Sequence, residues 1–313
     1  MQIFLIEIII NFIKKIKRYS VNKLTIILGH YILLKSRSYY DKYKLIEDSE
    51  IKIFSQNGED GIIDFIVKKL NLKKPSFVEI GVGDYSEANT RLLYEMYYGN
   101  GLIIDINKNL KKKVSQNVNL WKGNLKVIEA KVSSKNINRL LNTNFSFPID
   151  FFSIDIDGID YWAINEMRNK ISKVFILEYN PIFGPKLEIS VPNDQEFLRK
   201  NHYYSSLFFG ASLKAYIKLM DRKGYYLLGV NRLRNNAFFI NKDYKKNIFF
   251  PKINKVNLKE ATNFNYTTSR NVQGVLDYLN RKNSLNKIIN LDIIDLSKGN
   301  KNKTKLKTVL RSI

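Results

Sequence analysis

The stretch Tyr225–Ile240, YYLLGVNRLRNNAFFI, holds two apolar runs with only NRLRN between them. A crossover between parallel strands needs a dozen or more residues. These two runs are therefore expected to fold back as an antiparallel hairpin. Upstream, apolar runs recur at SFVEI (76–80), GLIIDI (101–106), LKVIEAKV (125–132), DFFSIDI (150–156) and KVFILEY (173–179). Short continuous runs suit strands buried on both faces of a parallel sheet. Helical patterns fall between several of them, as in SEANTRLLYEMYY and DYWAINEMRNKI. A longer pattern, SLFFGASLKAYIKLMDRKG, ends in a glycine at a helix C-cap position. The alternation predicts a doubly wound α/β sheet of βαβ units, closed by the terminal hairpin.

The first run leads into a glycine turn, FVEIGVGDYSEANT (77–90). Gly81 and Gly83 let the backbone turn sharply and approach a ligand with no Cβ in the way. Asp105 ends the next strand, 22 positions after Gly83. Nucleotide-binding α/β folds place an acid at about this distance, where it accepts hydrogen bonds from ribose hydroxyls. A dinucleotide fingerprint is incomplete, because Ser86 stands where its third glycine would fall. The third strand ends at Ala130–Ser133, a position that meets adenine in such folds.

The fourth run opens into SIDIDGIDYW (153–162). Residues i and i+2 of an extended chain face the same side. Asp155 and Asp157 can thus project together over the carboxyl edge of the sheet, where open α/β folds bind ligands. Asp160 is expected to cap the next helix. The fifth strand brings Glu178 and Asn180 to the neighbouring edge. Two readings of these oxygens stay open. Asp155, Asp157, Glu178 and Asn180 together suit a hard cation such as Mg²⁺. Without metal, the aspartates would contact cofactor or substrate hydroxyls. His202, one of two histidines, is a candidate general base.

These segments resemble one family. SQNGEDGII (55–63), FVEIGVGDYSEANT, SIDIDGIDYW, LEYNPIFGP (177–185), GASLKAY (210–216) and KGYYLLGVNRLRNNAFFI (223–240) are similar to the FkbM-like methyltransferases. That group belongs to the class I enzymes dependent on S-adenosylmethionine. The likeness covers roughly residues 51–242. It implies a Rossmann-like methyltransferase sheet, S-adenosylmethionine as cofactor, and O-methylation of a sugar, polysaccharide or natural-product hydroxyl in a bacterial setting. It also implies that Glu79 helps to position the amino-acid end of the cofactor. Asp155 and Asp157 are then the catalytic candidates, either as bases or through a metal, as in catechol-type relatives. Gln56 and Glu59, with Asp60 nearby, are read either as a lid over the cofactor or as an ordinary helix start. The loop NPIFGPKLEISVPND is expected to form a wall of the acceptor pocket.

Composition sets the outer bounds. The 313 residues include 44% hydrophobic and 13% aromatic side chains, enough for a substantial core. Cysteine is absent, which excludes disulfides and cysteine-ligated metal centres. The formal charge of +23 points to an anionic partner, or simply to a genome whose codons favour Lys, Asn and Ile. Residues 1–50 are read as an arm of two short amphipathic helices ending in Lys or Arg. Such an arm either lies on a membrane surface or packs on the domain. Residues 51–242 form the α/β domain. Residues 243–313 form a basic Lys/Asn-rich extension whose tail is read as solvated or partner-bound. The expected setting is the cytoplasm, peripheral to the inner face of the membrane. Two rivals remain. The Asp155-x-Asp157 pair matches the D-x-D pattern of metal-dependent glycosyltransferases. The charge alone would suit an RNA methyltransferase or another nucleic-acid-binding protein, although no RNA-binding module is recognisable.

Overall fold

The computed structural model describes residues 2–145, 148–244, 256–297 and 302–311. Helices α1 (Gln2–Arg37) and α2 (Glu59–Lys69) precede strand β1 (Phe77–Ile80). Then follow α3 (Arg91–Tyr97), β2 (Gly101–Asp105), α4 (Leu110–Asn117), β3 (Leu125–Glu129), α5 (Ile137–Asn144) and β4 (Ile149–Ile154). After them come α6 (Asp160–Glu166), β5 (Ser172–Glu178), β6 (Ile189–Ser190), α7 (Arg199–His202), α8 (Leu213–Arg222), β7 (Tyr225–Val230) and β8 (Asn236–Asn241). Seven of these strands form one sheet in the order β3-β2-β1-β4-β5-β8-β7.

Strands β1 to β5 run parallel, and β8 pairs antiparallel with both β5 and β7. The turn NRLRN makes the hairpin that its length requires. Alternate side chains feed two cores. Val78, Ile80, Phe152 and Ile154 enter one face, and Phe77, Phe151, Val174 and Ile176 enter the other. Central strands buried on both faces read as unbroken apolar runs for this reason.

The helices are shorter than the sequence pattern suggests. The SEANTRLLYEMYY pattern is helical only from Arg91, and the 206–224 pattern only from Leu213. Ser212 stops the latter, its hydroxyl accepting the Ala215 N–H. At the N-terminus the two expected short helices are one continuous helix, α1. Its C-terminal end is pinned by the fully buried Asp64. That carboxylate accepts Arg37 Nε at 3.0 Å and Nη2 at 2.7 Å, together with the phenols of Tyr40 and Tyr97.

The C-terminal segment also differs from expectation. Strands β9 (Thr267–Arg270) and β10 (Leu276–Leu279) make a separate hairpin. Strands β11 (Asp292–Asp295) and β12 (Asn302–Lys305) pair, and β11 also pairs with β6. Ile288, Ile293 and Leu306 enter the core. The stretch from 296 on, read as a solvated or partner-bound tail, is folded onto the domain over its described residues 296–297 and 302–311, because its few apolar residues have a sheet edge to join. Residues 298–301 and 312–313 lie outside the described residues.

Removing the carboxylate at position 64 would leave Arg37 and two phenols without their shared partner. Asp64→Ala should therefore destabilise the protein by about 3–5 kcal/mol, read as a shift in the urea midpoint.

Candidate functional site

The site lies at the carboxyl edge of the sheet, between β1 and β4. Gly81 follows β1 with φ +85°, and a Cβ there would stand 1.6 Å from the Asp155 carbonyl oxygen. Only glycine fits. Gly83 has φ +60°, and nothing lies within 4 Å of where its Cβ would be. The turn therefore opens a cradle that a side chain would fill. Asp105 holds it in place, with Oδ2 accepting the Gly83 N–H at 2.8 Å and Oδ1 the Asn107 N–H at 2.8 Å. Each carboxylate oxygen has a second acceptor site, so Asp105 keeps capacity for ligand hydroxyls. The Ala130 N–H donates to the Asp105 carbonyl at 2.9 Å, which sets the end of β3 beside it.

Glu79 lies beneath this turn with both oxygens engaged. Oε1 accepts the Asn89 N–H at 2.9 Å, and Oε2 accepts the Thr90 N–H at 2.9 Å and the Thr90 hydroxyl at 2.6 Å. Burial pushes its carboxyl above the usual range, and these donors oppose the shift. Glu79 therefore braces the loop that surrounds the cradle. Glu59 and Asp60 have similar bracing roles. Glu59 Oε1 accepts the side-chain amides of Asn231 and Asn236 at 3.0 and 2.8 Å. Asp60 Oδ2 gathers the N–H groups of Ile53, Phe54 and Ser55 and the Ser55 hydroxyl. Gln56 is exposed. Of the two readings of SQNGEDGII, the helix start describes this geometry, with Gly58 rather than Ser55 or Asn57 at the N-cap.

On the β4 side, one oxygen each from Asp155, Asp157 and Glu178 lie within 4.8 Å of one another. Three carboxylates so close need a counter-charge, and Arg199 supplies it. Its Nη1 is 3.0 Å from Asp157 Oδ1 and 3.5 Å from both Glu178 oxygens. Its guanidinium lies on the Phe209 ring at 3.5 Å, and its Nε donates to the Ser206 carbonyl at 2.9 Å. Arg199 is the functional residue that sequence reasoning missed. It is one basic residue among fifty-two and lies in LRKNHYY, a segment without a motif.

Asp160 is the first residue of α6, not its cap. Its oxygens bond back to the Ile156 N–H at 2.7 Å and the Gly158 N–H at 3.0 Å, which shapes the loop holding Asp155 and Asp157. Asn180 is fully buried and has its amide committed to the backbone. Nδ2 donates to the Leu207 and Phe209 carbonyls at 2.9 and 3.1 Å, and Oδ1 accepts the Ile182 N–H at 3.1 Å. It fixes the segment that carries Phe209 rather than offering an oxygen to a cation. His202 is exposed and stacks on Phe197 at 4.4 Å and Phe208 at 5.5 Å. Phe197 in turn covers Gly158. His202 is thus part of the aromatic wall behind the acid loop.

The acids interact strongly. Desolvation, then the like charges of Glu178, Asp160 and Asp157, raises the Asp155 carboxyl above the usual carboxylate range, while Arg199 pulls it down and the exposure of Asp155 to solvent limits the rise. Burial pushes Glu178 up to about 7 against the pull of Arg199. As a ligand set for Mg²⁺ the group fits poorly. Asn180 is committed elsewhere, and a guanidinium already bridges Asp157 and Glu178.

The strand order, with its antiparallel β8 next to β5 and the glycine turn after β1, defines a Rossmann-like methyltransferase fold. No family model matches the chain, and no curated protein does. Similar solved structures include an S-adenosylmethionine-dependent methyltransferase from Clostridium acetobutylicum ATCC 824. It is 13% identical, with 58% of this chain and 88% of that one covered and a TM-score of 0.36. Cofactor-bound Rv0187 from MTB is 15% identical over 67% of this chain and 89% of that one, with a TM-score of 0.35. The pyocyanin biosynthetic protein PhzM is 10% identical over 56% of this chain, with a TM-score of 0.34. The match spans 53% of PhzM, about half its length. At these values the fold rests on the strand order itself.

The raised Glu178 carboxyl has a consequence for stability. The folded state keeps a proton that the unfolded chain releases near the ordinary glutamate value of 4.5. Stability is therefore lost as pH rises from there through about 7. Glu178→Gln should raise the Tm relative to the parent at pH 8 and leave it unchanged at pH 5, as measured by differential scanning fluorimetry.

Proposed function

We propose that this protein is an S-adenosylmethionine-dependent methyltransferase acting on a hydroxyl of a small-molecule or glycan acceptor. One observation carries the reading. The open Gly83 turn, pinned by Asp105, directly abuts the strand end that presents Asp155. A nucleoside-binding cradle and a proton acceptor are thereby fixed side by side. The segments that resemble FkbM-like enzymes favour a sugar-like acceptor.

When bound, S-adenosylmethionine supplies an already activated methyl group. The protein's task is then mainly proximity, orientation and removal of one proton. Asp105 would hold ribose hydroxyls with its remaining lone pairs, and the Ala130–Ser133 segment would border the adenine. Gly83 admits the backbone close to the ligand. Asp155 has the raised proton affinity of a general base and accepts the acceptor's hydroxyl proton. Asp157 and Glu178, held by Arg199, offer hydrogen-bond acceptors that orient the remaining hydroxyls. The Pro181–Phe183 turn, which follows closely after Glu178 at the end of β5, would border the acceptor. It is held by Arg281, whose Nε donates to the Ile182 carbonyl at 3.1 Å. No step requires a metal.

Two measurements check this reading. Isothermal calorimetry should show binding of S-adenosylmethionine and not of UDP-sugars, the reverse of a glycosyltransferase. Asp105→Asn should weaken that binding by about tenfold or more. Asp155→Asn should lower kcat by about 10²–10⁴-fold and leave cofactor affinity within about twofold. Equal loss of both would reassign Asp155 to cofactor binding.

A further inference from the structure

Helix α1 has one face on the domain and one face bare. At the packed face a Cβ on Gly29 would meet Met96 Cε at 2.5 Å and Ile53 at 2.9 Å, so the helix lies close on α3. Leu33 is buried, and Arg37 is fixed by Asp64. The opposite face presents Leu24, Ile27, Leu28, Tyr31 and Leu34, each 50–61% exposed. These positions span an arc of about 120° at 100° per residue, the width of an apolar stripe that ordinarily faces a core. In the sequence, Ile6, Ile10 and Ile13 continue the spacing of three and four.

Charge identifies the occupant. Seven of the helix's residues are basic, and Glu7 is its only acid. Lys23 and Lys35 flank the bare stripe. The Lys35 ammonium lies over the Tyr31 ring, 4.7 Å from its centre. The neighbouring helix α4 adds the exposed Lys111 and Lys112. Trp121 is 82% exposed, four residues beyond Asn117, whose carbonyl accepts the Asn22 side-chain amide. An exposed apolar face on a helix rich in Lys and Arg and poor in acids is the composition of an interfacial helix. A second copy of the chain is disfavoured, because it would bring the same basic flanks together at a formal charge of +23 each. Crossing the bilayer is also disfavoured, because no helix among the described residues is long and apolar enough.

We infer that α1 lies in the plane of an anionic membrane surface, with the Leu24–Leu28–Tyr31 face in the headgroup boundary. Its anchoring fixes how the domain meets that surface. The helix passes Arg91 at the carboxyl edge of the sheet through Asn22 and reaches Tyr97 at the amino edge through Arg37. The part before Asn22 therefore extends beyond the edge that bears the candidate site.

The test is flotation of the full chain with phosphatidylcholine vesicles, with and without phosphatidylglycerol. The parent should float with the anionic vesicles and much less with the neutral ones. A Leu24→Gln, Leu28→Gln, Tyr31→Gln variant should lose at least about tenfold in partitioning while keeping the parent Tm, since these side chains touch little of the domain. Failure of the parent to float would overturn the inference. So would equal flotation of the variant, which would leave only non-specific attraction by charge. A parent dimer in sedimentation equilibrium that the variant abolishes, without vesicle binding, would assign the face to self-association instead.

Discussion

The contact between Gly81 and the Asp155 carbonyl is the constraint on which the rest of the site depends. It is a packing contact with no room for a single methyl group. Strands β1 and β4 pair in register up to Ile80 and Ile154, so the chain must leave β1 directly against the end of β4. The cofactor-type turn and the acid loop cannot move independently of each other. Around that contact, buried carboxylates hold the loops. Glu79 holds the Asn89–Thr90 segment, Asp105 holds Gly83, and Asp160 holds Ile156 and Gly158. Each acid collects backbone N–H groups, which offset the cost of burying it.

The electrostatics of the site follow from the same crowding. Asp155, Asp157 and Glu178 are brought together by two adjacent parallel strand ends, and their repulsion is offset by Arg199. The guanidinium is held by Phe209 and the Ser206 carbonyl, and Asn180 fixes the backbone beneath that ring. Asn180 therefore contributes to the charge balance indirectly. Arg199 directly contacts Asp157 and Glu178 but not Asp155, and desolvation and the like charges around Asp155 push its carboxyl above the usual carboxylate range.

Two peripheral parts complete the molecule. The C-terminal segment adds β11 to β6 and clamps the turn after β5 through Arg281, a contact between residues about a hundred positions apart. At the other end, Asp64 fixes α1 on α2 and α3 and leaves a long apolar stripe facing outward.

The sequence by itself determined the sheet. Unbroken apolar runs, a glycine turn after the first of them, an acid at the end of the second and a five-residue turn before the last are local features, and local sterics and strand burial are enough to read them. It also placed Gly81, Gly83, Asp105, Ala130, Asp155, Asp157 and Glu178 at one edge, since all of them end or follow parallel strands. Which partner each polar group takes was decided only by the tertiary structure. Glu79 and Asn180 looked like ligand groups because they lie at strand ends, but the Asn89–Thr90 segment donates to Glu79, and Asn180 donates to the Leu207 and Phe209 carbonyls and accepts the Ile182 N–H. Arg199 looked like one cation among many until folding brought it to the acids. The single long α1 and the paired strands of the basic tail also depend on surfaces that exist only after the domain has formed. Strand periodicity is encoded within a few neighbouring residues. Hydrogen-bond and ion-pair choices join residues tens to hundreds of positions apart, and no local pattern records them.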